Sequence, residues 1–329
     1  MATLRIPQAR LPQTRQGLRW HILIDQQGAV LAVWAVLLLT TAGASIISPT
    51  FRSWANLSNV LSEAVILGLV SLGQTFVIVT GGIDLSVGAI VKLVTVLTAG
   101  MMEKYTGAWI GVVMLVVAAG GLVGLVNGLL VIRLRVAPFI VTLGMASILG
   151  GAVLAYTQQP IGSITDQFYQ LYNGQIGPVP LPIVSFAAAI LLSQTLLRHS
   201  SFGRHIYAVG GNEEVARRAG IKVARVRLAV FLLAGLLAAL AGLMVASQEG
   251  IGDPTVGDNL TLDSITAVVL GGTSLFGGRG SVFGTVGGIL LLSLINNVMN
   301  LLGVDVWYQG VIKGIIILMA VAIYKQRST

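Results

Sequence analysis

The sequence of 329 residues contains no cysteine, only three histidines and few charged side chains. Without cysteine it forms no disulfide and offers no thiolate to a metal or a covalent mechanism. Three histidines also exclude a histidine-rich metal site. Charged residues make up 10% of the chain, too few to cover the surface of a soluble protein, since soluble domains carry about 25%. We therefore predict neither catalytic nor metal-binding residues in this chain.

A nucleotide-binding loop is missing as well. The P-loop needs Gly-Lys-Ser/Thr so that its lysine reaches the phosphates, and none of the five lysines follows a glycine. The chain is therefore not predicted to hydrolyse ATP itself. The net charge of +8 would ordinarily suggest nucleic-acid binding. Here the charges lie in short loops between apolar runs, which favours a membrane protein without a nucleic-acid partner.

What the sequence has instead is long apolar runs, with 55% hydrophobic residues and a mean hydropathy of +0.88. A spanning helix needs about 20 apolar residues, so the pattern predicts an all-α polytopic membrane protein with about ten transmembrane helices. The predicted spans are 29–48, 58–80, 86–102, 108–132, 136–156, 180–197, 226–247, 264–275, 281–302 and 306–324. Segment 264–275 is short and ends in glycine, so a full span and a broken helix both remain open. The first run is too long for the apolar region of a cleaved signal peptide.

Loop charges predict the orientation. With ten spans, sixteen of the twenty Lys and Arg residues fall on the side that carries both termini, and most Asp and Glu residues fall on the other. Positive charge is retained on the cytoplasmic side. We therefore predict a cytoplasmic N-terminal segment (1–28), a membrane domain (29–324) with a long cytoplasmic loop (198–227), and a cytoplasmic tail (325–329).

That loop carries the strongest local signal. Gly210-Gly211-Asn212 predicts a turn, and Asn212 is suited to cap a helix N-terminus. Two acid–base pairs spaced i,i+4 follow, and Gly220 is placed to end the helix. The loop is therefore predicted to hold a short capped helix, which needs a partner because so short a helix is marginal alone in water. The helix is expected either to lie on the bilayer surface or to dock on a cytoplasmic protein.

Four motifs resemble one family, the ribose-type ABC permeases of the carbohydrate uptake transporter 2 group. They are Tyr207-Ala-Val-Gly-Gly-Asn-Glu-Glu-Val-Ala-Arg-Arg-Ala-Gly-Ile221, Val79-Thr-Gly-Gly-Ile-Asp-Leu-Ser-Val-Gly88, Ala267-Val-Val-Leu-Gly-Gly-Thr-Ser-Leu-Phe-Gly-Gly-Arg-Gly280, and the asparagines Asn296-Asn297 with Asn300-Leu-Leu-Gly303. The resemblance covers roughly residues 50–324, and four motifs in this order are more specific than any one of them.

The resemblance implies partners and roles. A permease of this family pairs with a second permease, identical or closely related, and with ATPase subunits that bind ATP and Mg, and it receives sugar from a periplasmic binding protein. This chain would then hold no cofactor and lie in the bacterial inner membrane, among lipid. The residues placed by the resemblance in the ATPase-coupling loop are Asn212, Glu213, Glu214, Ala216, Arg217 and Gly220.

Polar residues inside the predicted spans are candidates for a translocation path, because amides both donate and accept hydrogen bonds. Helix–helix hydrogen bonding is the alternative. The path candidates are Asn127, Asn296, Asn297 and Gln74. Three charges also lie within spans. Glu63 and Lys313 share a depth that allows an ion pair, whereas Lys92 is expected to reach the cytoplasmic interface.

Paired glycines and one acid mark candidate gates, since they break helices next to the path. They are Gly81, Gly82, Asp84, Gly271 and Gly272. Helix capping by Asp84 or Ser86 is the alternative. A sugar permease of an ATP-driven importer is the function predicted. An ABC permease for nucleosides or branched-chain amino acids and an ion-coupled secondary transporter are the alternatives, and the scarcity of membrane acids disfavours the last.

Overall fold

A computed structural model describes residues 15–305 and 307–315, and the side chains from residue 28 onward except at 106 and 306. It is almost entirely helical. The helices are α1 (Arg15–Ile47), α2 (Trp54–Val79), α3 (Val87–Lys104), α4 (Trp109–Leu134), α5 (Pro138–Tyr156), α6 (Asp166–Asn173), α7 (Leu181–His199), α8 (Ser201–Gly211), α9 (Glu213–Arg218), α10 (Val223–Glu249), α11 (Leu260–Leu270) and α12 (Val282–Leu301). Strands β1 (Gln175–Ile176) and β2 (Val179–Pro180) form one small hairpin, and residues 307–315 are again helical.

The all-α polytopic class is confirmed. Within the described residues, seven helices are long and apolar enough to cross a membrane: the 28–47 part of α1, and α2, α4, α5, α7, α10 and α12. Their bounds lie within a few residues of the predicted spans. Helix α3 is not among the seven, because its 18 residues include Lys92, Glu103 and Lys104. The predicted span 306–324 is described only through residue 315, and segments 1–14 and 325–329 lie outside the described residues.

Helix α2 occupies the centre of the molecule. It packs against α7, α10, α11 and α12, and most of its residues from Ala64 to Val79 are fully buried. Its start is fixed by the Ser53 hydroxyl, which accepts a hydrogen bond from the Asn56 amide (3.2 Å), as an N-cap should. Helices α4, α5 and α7 instead present large apolar side chains to the exterior, as expected of surfaces that contact lipid.

Small residues let α4 and α10 pack closely. A Cβ placed on Gly128 would lie 3.2 Å from the Cα of Leu228, and one on Gly121 would lie 2.9 Å from the Leu236 side chain. Gly124 and Gly235 are in direct backbone contact. Because lipid tails supply no hydrophobic drive for helix association, such close backbone approach is a main source of stability.

Two stretches of the fold have irregular backbone beside α3. The first is 80–86, which joins α2 to α3 through Gly81 in a left-handed conformation (φ 80°). The second is 250–259, between α10 and α11. Gly252 pairs with Ile161 beside Val96, and Gly257 contacts the backbone of Gly88. The second stretch therefore runs along α3 from Val96 to Gly88, about 12 Å of helix at 1.5 Å per residue.

The structure therefore gives a broken segment where the sequence left two possibilities open. The predicted span 264–275 is a helix of 11 residues, Leu260–Leu270, preceded by the irregular stretch 250–259. The connection before α7 was not predicted to have structure of its own, yet it contains α6 and the β1–β2 hairpin. Helix α6 is held against α10, because the Ser247 hydroxyl donates to the carbonyl of Phe168 (2.9 Å) and accepts from the Tyr172 amide (3.0 Å).

Candidate functional site

The short capped helix predicted after Asn212 is present as α9. The Asn212 side chain accepts a hydrogen bond from the Val215 amide (3.0 Å). Both predicted ion pairs form, Glu213–Arg217 at 2.6 Å and Glu214–Arg218 at 3.1 Å. Gly220 follows in a left-handed conformation (φ 82°), which ends the helix. This local geometry was readable from the sequence because every contact lies within four residues.

One contact ties α9 to the long helix α10. Glu213 binds Arg217 through one carboxylate oxygen, and through the other it accepts from Arg227 of α10 (2.6 Å). Ala216 is buried on the same side of α9. The Glu214–Arg218 pair, by contrast, is largely exposed. Helix α9 is therefore fixed to a spanning helix on one face and open on the other. Arg227 was missed as a site residue, because its partner lies 14 positions away.

The turn predicted at Gly210-Gly211-Asn212 is confined to Asn212, which is extended between α8 and α9, and its extension to the two glycines is wrong. Both glycines are the last residues of α8, which runs from Ser201 to Gly211. The reason is a packing contact. A Cβ on Gly277 would lie 2.8 Å from the Gly210 carbonyl oxygen and 2.8 Å from the Gly81 amide nitrogen. A Cβ on Gly210 itself would collide with the Val79 carbonyl, whereas one on Gly211 would meet nothing within 4 Å. Glycine is therefore needed at position 210 for close backbone approach rather than for a turn.

We call this meeting point the glycine junction; it comprises residues 79–82, 207–211 and 276–280. Its three segments are also linked by hydrogen bonds. The Gly278 amide donates to the Val79 carbonyl (2.9 Å), and the Tyr207 hydroxyl donates to the Gly280 carbonyl (2.7 Å). The junction thus connects the end of α2 with the loop that carries α8 and α9. Two of the predicted gate residues, Gly81 and Gly82, belong to it.

Tyr207 remains a donor at physiological pH. Burial raises the pKa of its hydroxyl, and the neighbouring Arg198 offsets part of that rise. A raised pKa in the folded state means that this contribution to stability is present at neutral pH and is lost only in strong alkali.

Replacing Tyr207 with phenylalanine should lower the free energy of unfolding by about 1 kcal/mol, because the Gly280 carbonyl loses a neutral hydrogen bond. Thermal unfolding of the purified protein in detergent measures the change. Tyr169→Phe is the matched control, since the Tyr169 side chain is partly exposed and its hydroxyl makes no hydrogen bond to the described residues. Equal shifts in the two variants would contradict the role of Tyr207.

Asp84 is fully buried beside the glycine junction. Its Oδ1 accepts from the amide (2.8 Å) and the hydroxyl (2.7 Å) of Ser86, and the Asn127 amide donates to that hydroxyl (2.8 Å). Neither Asp84 nor Ser86 makes a side-chain cap to α3, so the capping alternative is not what the structure shows. Asp84 Oδ2 and Asn127 Oδ1 have no hydrogen-bond partner among the described residues. The structure therefore joins one gate candidate to one path candidate.

The other path candidates lie apart from this cluster. Gln74 is fully buried in α2, with neither amide atom bonded to a described residue. Asn297 exchanges two hydrogen bonds with Asn56 (2.9 and 3.1 Å), so its side chain links α12 to α2. The buried Oδ1 of Asn296 accepts no hydrogen bond from the described residues. The gate candidates Gly271 and Gly272 pack against Gly284 and Ala29.

Both lysines of the predicted spans are paired. Lys313 binds Asp263 (3.0 Å) rather than Glu63, and Lys92 binds Asp258 (2.6 Å), a partner that was not predicted. Sequence reasoning placed both aspartates on the external side of the membrane but predicted no pairing for them. Asp258 lies in the irregular stretch 250–259 that runs along α3, and Asp263 lies on α11. Pairing offsets part of the ~2.5–3.5 kcal/mol cost of a charge at the centre of a membrane helix.

A basic cavity lies beside α9. Its volume is about 760 Å³, and it is lined by the end of α4, the start of α5 and the start of α10. Arg135, Arg217, Lys222 and Arg227 contribute positive charge, and Glu213 is the one acid in the lining. Arg135 adopts a left-handed conformation (φ 55°), which is uncommon for a non-glycine residue. The cavity suits an acidic group rather than an apolar one.

The chain is similar to known transport proteins along nearly its whole length. Residues 56–321 match the family described as branched-chain amino acid transport system / permease component. The chain belongs to this permease family. The ribose import permease protein of Bacillus subtilis (strain 168) is 41% identical over 322 residues, which is 97% of this chain and 98% of that protein.

Two further relatives of the permease are named for other sugars. The L-arabinose ABC transporter permease protein of Azospirillum brasilense is 35% identical, over 94% of this chain and 90% of its own length. The fructose import permease protein of Rhizobium meliloti is also 35% identical, over 92% and 86%. No solved structure matches the permease. The permease is thus a multi-pass membrane transport component rather than an enzyme.

Proposed function

We propose that the permease is the membrane subunit of an ATP-driven importer that moves a monosaccharide, a ribose-like sugar or a related polyol, across the bacterial inner membrane by alternating access. The relatives named for ribose, arabinose and fructose support the sugar class. Nearly complete coverage of both chains supports a shared architecture. The observation that carries the proposal is α9, an exposed helix fixed by Glu213 to the spanning helix α10.

The proposed topology has ten crossings and cytoplasmic termini. Seven apolar helices supply seven crossings. Helix α3 with the stretch before it, the broken segment 250–270, and the segment that begins at residue 307 supply the other three. On this assignment the membrane domain spans 29–324 between the segments 1–28 and 325–329. Helices α8 and α9, the glycine junction and the basic cavity then share the cytoplasmic face, in agreement with its excess of Lys and Arg.

The cytoplasmic face is proposed to receive an ATPase subunit, which would bind ATP and Mg. The exposed side of α9 offers Glu214 and Arg218 as the contact surface, while the basic cavity next to it suits an acidic group of the partner. A push on α9 would reach α10 through Glu213 and Arg227. It would reach α2 through α8 and the glycine junction. The residues assigned to coupling are Asn212, Glu213, Glu214, Ala216, Arg217 and Gly220.

A second permease, identical or paralogous, and a periplasmic sugar-binding protein complete the proposed assembly. Exposed apolar side chains on α1, α4, α5 and α7 provide surface for lipid and for the second permease. The proposed gate comprises Gly81, Gly82, Asp84, Gly271 and Gly272, and the proposed path includes Asn127, Asn296, Asn297 and Gln74. Asn127 has the best support, because it bonds to Ser86 beside Asp84.

Uptake of radiolabelled ribose into proteoliposomes tests the proposal. The permease is reconstituted with its ATPase and binding protein, and compared with a Glu213→Arg, Glu214→Arg variant. We expect uptake to require ATP and to fall by at least about tenfold in the variant, since reversing two charges on α9 breaks both intrahelical pairs and the link to α10. A folded variant that elutes like wild type in detergent is the control.

Two results would count against this function. Uptake by the permease alone, driven by an ion gradient and indifferent to the charge reversal, would favour a secondary transporter. ATP-dependent uptake of a nucleoside or a branched-chain amino acid in place of any sugar would keep the ATP-driven importer but replace its substrate class.

A further inference from the structure

The Lys92–Asp258 pair is asymmetric in its exposure. The lysine side chain is 9% exposed, whereas the aspartate side chain is 68% exposed. The second membrane ion pair is different, because Lys313 and Asp263 are both mostly buried, at 20% and 16%. The Lys313–Asp263 pair thus links two segments inside the protein. In the Lys92–Asp258 pair, by contrast, the carboxylate lies on the surface of the protein.

That carboxylate lies deep along α3. Lys92 is about 18 Å from the Lys104 end of the helix at 1.5 Å per residue. Gly257, the residue before Asp258, contacts the backbone of Gly88 still further from that end. In the proposed topology the Lys104 end of α3 lies at the outer surface of a bilayer core about 30 Å thick, which places the carboxylate near the middle of the membrane.

An exposed carboxylate and irregular backbone at this depth are incompatible with lipid contact. Backbone outside helices is tolerated at membrane depth only where it is buried in protein or lines a water-filled cavity. Intramembrane acids likewise face a cavity or a partner. Asp258 has its partner on one side, Lys92, yet most of its side chain is open. Neighbouring Thr255 and Asn259 are exposed as well, so an entire polar edge of this stretch needs an aqueous surrounding.

We propose that the 255–259 stretch lines the aqueous translocation path and that Asp258 is a specificity-determining residue that accepts hydrogen bonds from hydroxyl groups of the passing sugar. This inference rests on the proposed function. Lys92 donates a hydrogen bond to Oδ1 of Asp258, and Oδ2 accepts no hydrogen bond from the described residues. Lys92 thus holds the carboxylate in place and leaves one oxygen for substrate. Neutral polyols would be accepted, and sugar acids or sugar phosphates repelled by like charge.

The absence of cysteine makes a direct test possible in the full-length permease. Asn259→Cys keeps the ion pair, and Asp258→Cys probes the carboxylate position itself. Leu122→Cys is the matched control: Leu122 is 60% exposed and lies within about 6 Å of the depth of Lys92, since a Cβ on Gly120 would touch Ile90. Each variant, in native membrane vesicles, is treated with a charged, membrane-impermeant thiosulfonate.

We expect both path variants to react at least about tenfold faster than Leu122→Cys, because only a thiol in water ionises to the reactive thiolate. Equal rates at all three positions, or no reaction at 258 and 259, would overturn the placement in an aqueous path. A second permease copy or lipid covering this edge would produce the latter result. Labelling needs neither ATP nor sugar, so it succeeds or fails independently of the proposed function.

Uptake tests the recognition role. Asp258→Asn should reduce ribose uptake by about tenfold and relax the exclusion of a sugar acid such as ribonate, since the charge is lost while the shape is kept. Asp253→Asn is the control in the same stretch, because Asp253 only caps a turn at Thr255 through Oδ1, an atom that asparagine retains. Unchanged rate and selectivity in Asp258→Asn would overturn the recognition role even where labelling places the residue in water.

Discussion

Replacing Arg227 with methionine should reduce ATP-dependent uptake by about tenfold or more, equivalent to the loss of ~1.4 kcal/mol of coupling. Arg227 is the residue of α10 that binds Glu213 of α9 (2.6 Å). The variant leaves α9 its cap and both intrahelical pairs but removes its link to the spanning helix. A helix of six residues has little stability of its own, so motion of a docked ATPase would no longer reach α10.

Arg225→Met is the matched control for this experiment. Arg225 lies on the same helix two residues earlier and is exposed, and it makes no ion pair within the described residues. Both variants lose one positive charge, so a general electrostatic effect would lower uptake in both. Normal uptake by Arg227→Met would show that the link between α9 and α10 does not carry the coupling. ATP hydrolysis measured in the same vesicles separates lost docking from lost coupling.

Replacing Gly88 with alanine should destabilise the permease by about 1–3 kcal/mol, the usual cost of overpacking, and abolish most uptake. Gly88 has an ordinary helical backbone, so conformational strain is not the reason. Its added methyl group would collide with the Gly257 carbonyl. Backbone on both sides of this contact cannot move without shifting α3 or the stretch that carries Asp258. Thermal unfolding in detergent and uptake in proteoliposomes give the two readouts.

Gly150→Ala controls for the change of residue type. Gly150 is also within a helix, and a Cβ there meets nothing within 4 Å. In open space alanine is favoured over glycine by about 0.5–1 kcal/mol in a helix, so this variant should unfold at the same or a higher temperature. A Gly88→Ala protein as stable as Gly150→Ala would mean that the contact with Gly257 is loose.

Local contacts explain why helix α9 was predictable. The Asn212 cap, the Glu213 and Glu214 pairs and the stop at Gly220 all depend on residues at most a few positions apart, and the structure confirms each. The apolar spans were predictable for a similar reason, since each is long enough to cross the bilayer by itself.

Errors arose where a residue's partner is distant in the chain. No partner was predicted for Lys92, and Lys313 was expected to pair with Glu63, but both bind aspartates of the segment 250–270. No periodic pattern shows that a polar stretch folds back beside a helix, because its backbone is stabilised by tertiary contacts such as Gly88 with Gly257. The turn predicted at Gly210-Gly211 was wrong for the same reason. A glycine that permits close packing and a glycine that forms a turn cannot be distinguished in the sequence.

The sequence by itself determined the membrane class, most span positions, the capped helix α9 and, through four ordered motifs, the permease family. These properties are set by composition and by contacts within a few residues. Only the tertiary structure decided which charges pair, that α9 is anchored to α10, and that the irregular stretch 250–259 lies along α3. Those outcomes depend on which surfaces meet when the helices pack, and a single Cβ at Gly88, Gly257 or Gly277 would collide with the backbone packed against it.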